Sequence, residues 1–214
     1  MRGFTRGERG YISSPVAAVR ELLAMSVEQV AEALERPVWD VPDLDSDEAI
    51  LEALDFDVDP RDRELAAFVP PEPGPITDPA LARLLPTMSL EDPDLAAELR
   101  RSSERRIRSS KAQHLKVLHE ALVAPRPTVE IAFGDEGAAL AAMTDVRLLL
   151  SERLGLRTAT EVVRLHDTLV TDEDDAPCET PKERQIRMLS QVYLYFTWWQ
   201  DSLLEAMGEA ADTP

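Results

Sequence analysis

DPDLAAELRRSSERRIRSSKAQHLKVLHEALV, residues 92–123, decides the fold class. Asp92 offers a capping carboxylate and Pro93 a backbone already set for a first helical turn, and neither glycine nor proline interrupts the run to Val123. A helix of this length needs partners along one face. Leu95, Leu99, Ser103, Ile107, Ser110, His114, Leu118 and Leu122 recur at three- and four-residue spacing and are expected to trace the buried stripe, with His114 a hydrogen-bonded core residue. Pro125 and Pro127 close the helix, because proline brings no amide hydrogen and pushes the residue before it out of the helical region.

The same stretch holds a concentration of charge. Arg100, Arg101, Arg105, Arg106, Arg108, Lys111 and Lys116 are seven of the chain's 23 basic residues, opposed within that run only by Glu104. The apolar stripe leaves most of them facing outward or sideways. Arg100, Arg101, Arg105, Arg108 and Lys111 are the candidate surface for a partner or for DNA. Such a band can meet phosphates, an acidic partner, or the chain's own acidic segments at 40–64 and 171–179, and these alternatives stay open.

Working outward, Thr128 to Phe133 (TVEIAF) alternates apolar with polar residues and is the best strand in the chain. Asp135 starts a helix expected to end at Gly155, a candidate left-handed cap. Residues 158–170 make a short helix or turn, 171–181 (TDEDDAPCETP) an acidic loop, and Lys182 to about Glu209 a last long helix. On the other side, FTRGERGYIS (4–13) suits a hairpin around Gly7 and Gly10. Ser14 and Pro15 are expected to cap a helix over about 15–35, which Pro37 stops. Asp78 and Pro79 open a further short helix, ALARLLP. The N-terminal strand, Tyr11 to Ser13, can pair with Val129 to Phe133. The expected fold is mainly α, a bundle of about five helices with a small β-sheet made of the hairpin and the strand near 128–133.

Pro37 to Asp78 differs in texture, with seven prolines, thirteen acidic residues and only Arg61 and Arg63 as bases. It reads as a mostly solvated acidic insertion, with a short capped helix at Ser46 to Phe56. One domain is expected overall: residues 1–36 supply the hairpin and first helix of the core, 37–78 the insertion, and 79–214 the helical core. One hypothesis has the insertion shield the basic band until a partner displaces it.

The 214 residues can bury a core of their own, and the net charge of −18 repels nucleic acid and anionic membrane except where cations gather locally. Cys178, alone, can make no internal disulfide. MRGFTRGERG lacks the apolar core of a signal peptide, and Met188 to Gln200 falls short of the ~20 residues a bilayer span needs. A cytoplasmic protein without membrane contact is expected.

Signatures of chemistry are sparse. Gly134 and Gly137 lack the lysine, the third glycine and the βαβ context of a phosphate loop. His114 and His119 stand about 140° apart on a helix and cannot chelate one metal together. His166-Asp167 lacks the further histidines of a metal-dependent phosphohydrolase, and Glu173, Asp174 and Asp175 lack the glycine turn of a calcium loop. Acidic neighbours disfavour a Cys178 thiolate, and no G-x-S-x-G elbow occurs. No enzyme, metal or cofactor is therefore expected. The run VYLYFTWWQDSLLEAM (192–207) puts Val192, Tyr195, Phe196, Trp199 and Leu203 on one face and Leu194 and Trp198 on another. That helix is either central to the monomer or shared in a homodimer.

Four segments, DPALARLLP (78–86), RIRSSKAQHLKVL (106–118), TDVRLLLSERLGL (144–156) and YFTWWQDSLLEAM (195–207), together resemble in order and spacing the actinobacterial AosR family, named for oxidative-stress regulation. The resemblance covers most of the chain except 37–76 and 157–190. It implies a cytoplasmic transcriptional regulator that works through proteins of the transcription apparatus, such as an alternative sigma factor. The family's redox sensing uses paired cysteines, and Cys178 has no pair here. The matched Asp145, Arg147, Trp198, Trp199 and Gln200 read as structural, with Asp145 and Arg147 on different helix faces and each bonding a neighbour. The expectation is a non-enzymatic, transcription-associated regulator contacting protein first and DNA second. The alternative is a helical adaptor or structural interaction protein without nucleic-acid binding.

Overall fold

The computed structural model describes residues 2–35, 76–171 and 180–211. Among them the order is β1 (Arg2–Arg6), β2 (Gly10–Ser14), α1 (Ala17–Ala33), α2 (Pro79–Leu84), α3 (Pro93–Val123), β3 (Val129–Ala132), α4 (Glu136–Arg153), α5 (Ala159–Thr171) and α6 (Pro181–Ala211). The class is the one expected, mainly α with a small antiparallel sheet. The helix expected at Ser46 to Phe56, most of the acidic insertion, and Cys178 lie outside the described residues.

The sheet has β2 at its centre, flanked by β1 and β3. Tyr11 stands opposite Ile131 and Ser13 opposite Val129, which is the pairing the two alternating patterns allow. Gly10 is needed where β2 meets β3: a Cβ there would sit 2.1 Å from the Ile131 carbonyl oxygen. The strands' inward side chains, Phe4, Tyr11, Val129 and Ile131, are all buried.

Helix α6 fastens this sheet to the bundle. Trp199, fully buried, stacks on Phe4 with ring centroids 4.8 Å apart and donates its indole N–H to Ser13 Oγ at 2.9 Å. Its donor is thus satisfied inside the core, and an aromatic buried in this way is worth about 3–5 kcal/mol against alanine. Ser202 accepts from the Phe4 amide at 3.2 Å, so α6 lies along the outer edge of β1 and covers donors that an edge strand would otherwise present.

Around this lock, Leu23, Val27 and Val30 of α1, Leu115, Leu118 and Leu122 of α3, Met143, Val146 and Leu150 of α4, and Phe196 and Leu203 of α6 form one core. Asp78 and Asp92 cap α2 and α3 as their sequences indicate, each accepting from amides of the first turn. Gly155, with φ of +70°, follows the last turn of α4 in the left-handed conformation. Two expectations need correction. Ser14 does not cap α1: it ends β2 opposite Arg2, the chain stays extended through Val16, and the helix begins at Ala17 with no side-chain cap. The stripe of α3 also differs from the apolar reading. Leu95 is 48% exposed and Ser110 exposed, while the buried residues run through Glu104, Ala112, Leu115, Leu118 and Leu122. The two stripes agree only towards the C-terminal end of the helix, at Leu118 and Leu122.

Candidate functional site

The buried position of Glu104 reorganises the basic band. One turn to either side, Arg100 and Arg108 both bond its carboxylate, Arg108 at 2.9 Å through Nε. Arg108 also donates to the Leu34 carbonyl at 2.9 Å, closing the C-terminal end of α1 with a cation. Burial alone would raise the Glu104 carboxyl, but the hydrogen bonds and charges of the two arginines together outweigh it and hold the group below its usual range.

One turn further on, Lys111 Nζ lies 2.6 Å from Asp145 Oδ1 on α4, and Asp145 is 3% exposed. Burial lifts the Asp145 carboxyl above its usual value against the pull of Lys111 and His114. His114 is half-buried beside this pair and is shifted down, first by burial and then by the charge of Lys111, with Asp145 opposing. Its imidazole is accordingly biased toward the neutral form. The hydrogen bond expected of a core histidine is absent: His114 makes none among the described residues.

The band therefore divides. Arg100, Arg108 and Lys111 turn onto buried carboxylates, whereas Arg101, beside Glu98, and Arg105 and Arg106 are exposed. Arg106 has neither an ion pair nor a hydrogen bond among the described residues. It stands at a groove of 580 Å³ between α3 and α4, whose other walls include Ile107, Ser110, His114, Thr144 and Leu148. A second groove, 410 Å³, runs between α2 and α3 past Leu85, Met88, Ala97 and Ile107, with Met88 49% and Leu90 92% exposed nearby.

The remaining singled-out residues lie on α4 and α6. Asp145 and Arg147 do not pair with each other. Arg147 instead donates to Gln200 Oε1 at 2.8 Å and lies 5.7 Å over the Tyr193 ring, while Gln200 Nε2 donates to Thr144 Oγ1 at 3.0 Å. Trp199 is core, and Trp198, next to Tyr195, is 41% exposed on the outer side of α6. Arg106, Ser110 and His114 were not grouped from sequence as a site. Their signal was present as spacing, since residues four and eight apart share a helix face.

Among the described residues, no cluster of three or more histidine, cysteine or acidic side chains could hold a metal, and no helix is long and apolar enough to cross a membrane. No curated protein and no solved structure matches the chain. The sequence model for Domain of unknown function (DUF2017) matches residues 1–207, nearly the whole length, and the chain belongs to that family.

Proposed function

We propose that this protein is a non-enzymatic, cytoplasmic regulator that acts by binding a protein of the transcription apparatus, as its resemblance to the AosR family implies. The observation that carries the reading is the exposed face of α3, where Arg101, Arg105 and Arg106 gather in a chain of net charge −18. Such a face attracts an acidic partner surface and steers its approach. Duplex DNA comes second, because Arg100, Arg108 and Lys111 already serve Glu104 and Asp145 and contribute less to phosphate neutralisation.

The test is binding of the purified protein to the host's alternative sigma factors, each purified, and to duplex DNA, at low and high salt. Arg105→Glu with Arg106→Glu should weaken sigma-factor binding by at least about tenfold at low salt while the fold is retained. Unchanged binding by that variant removes α3 as the contact face. The second reading, a helical adaptor, is favoured by the α2–α3 groove with its exposed Met88, Leu90 and Leu95. It calls for salt-tolerant binding that Met88→Glu abolishes.

A further inference from the structure

The α3–α4 groove combines features that the partner-binding face does not require. Arg106, Ser110 and His114 follow one another at four-residue intervals, so their backbones are spaced about 6 Å apart along the helix axis. None of the three makes a side-chain hydrogen bond or ion pair among the described residues. All three line the same 580 Å³ space, a volume suited to a small ligand. Between the two ends, Lys111 and Asp145 cancel one another at 2.6 Å, and Ile107, Ala141 and Leu148 supply apolar wall. With His114 neutral, the lining carries one net positive charge, at Arg106.

We propose that this groove binds an elongated aliphatic dicarboxylate, one carboxylate taken by Arg106 with Ser110, the other by His114, and the methylene chain laid across Ile107 and Leu148. A single carboxylate is too short to reach from one end of this row to the other, whereas two carboxylates joined by an apolar chain match both the donors and the wall between them. Binding at the His114 end is linked to proton uptake, because a carboxylate favours the imidazolium that burial otherwise disfavours. His114 is faced by Lys111 from its own helix and by Asp145 from α4, with Arg106 at the far end of the groove; Glu28 of α1 is bonded at 2.8 Å to His119.

The experiment is an NMR titration of the full chain with suberate, following the His114 ring and Arg106 Nε resonances at about pH 6 and about pH 8. Saturable shifts at both residues are expected, with Kd several-fold lower at the lower pH. Arg106→Gln should weaken binding about tenfold, and His114→Gln should abolish the pH dependence while leaving residual binding. Octanoate should bind more weakly and without pH dependence, and suberamide not measurably. Absence of a saturable response to suberate overturns the proposal, as does an Arg106→Gln protein that titrates like the wild type. Equal affinity and pH response for suberate and octanoate would show that the second carboxylate contributes nothing, and would also overturn the proposal. The readout is direct, so it stands or fails separately from sigma-factor binding.

Discussion

Lys111 of α3 holds its ammonium 2.6 Å from the carboxylate of Asp145 on α4, and it is the aspartate that is the more deeply buried of the two, with side-chain exposures of 22% and 5%. The pair joins two helices whose other buried residues, Glu104 apart, are alanine, leucine, valine and methionine. A charge in that setting is tolerated because its counter-charge is fixed beside it.

Lys111→Met, which strands the aspartate, should therefore lower stability by about 2–4 kcal/mol, more than Asp145→Asn, whose remaining lysine can reach water. The double change Lys111→Met with Asp145→Leu should recover most of the loss. Urea unfolding at neutral pH measures all three. The Asp145 carboxyl is already raised in the folded protein, so the folded state binds its proton more readily than the unfolded chain. In Lys111→Met this deepens, and that variant should gain stability relative to wild type as the pH is lowered. A double variant no better than Lys111→Met would show that the pair does more than neutralise itself.

Glu104 works with the opposite sign. Its folded carboxyl lies below the usual value of 4.5, so the stability it contributes is complete above that pH and is lost as the pH falls through the folded value. Glu104→Gln should destabilise the protein at pH 7 and flatten the acid limb of the stability curve below about pH 4.5. Unfolding followed by circular dichroism between about pH 7 and pH 3 distinguishes this from a uniform loss. An acid limb as steep as in wild type would assign acid sensitivity to other carboxylates.

Arg20 of α1 donates all three of its nitrogen groups to the chain leaving α3, at the carbonyls of Leu122, Ala124 and Arg126. A guanidinium fits three oxygens fanned around one plane, and an ammonium cannot reproduce that fork. Arg20→Lys should cost about 1–3 kcal/mol in thermal unfolding and speed amide exchange in β3, which follows directly after the held turn. Unaltered exchange at Val129 to Ala132 would show that β3 is positioned from the sheet side alone.

Much of the architecture was readable from local signals. Asp-Pro pairs marked the starts of α2 and α3, alternation marked β3, and Gly155 marked the end of α4, because each of those features is decided by a few neighbouring residues. The stripe of α3 was not readable, since a hydrophobicity pattern cannot anticipate that Glu104 is buried once arginines one turn away on both sides neutralise it. The Ser14 cap failed for a related reason: pairing with Arg2 holds that residue in β2. For the candidate site, the chain revealed where cations concentrate but not which of them are spent on internal carboxylates. That depended on Asp145, thirty-four positions away from Lys111 along the chain.

The bond from the Phe4 amide to Ser202 joins residues 198 positions apart. During synthesis, the outermost strand therefore emerges 198 positions ahead of the residue that covers its edge. Closure of the hydrophobic interior is a late, non-local event, and contacts of this kind slow folding. Premature release before residue 199 would leave an open strand edge and a vacancy where the indole belongs, the two conditions that turn a nascent chain toward self-association.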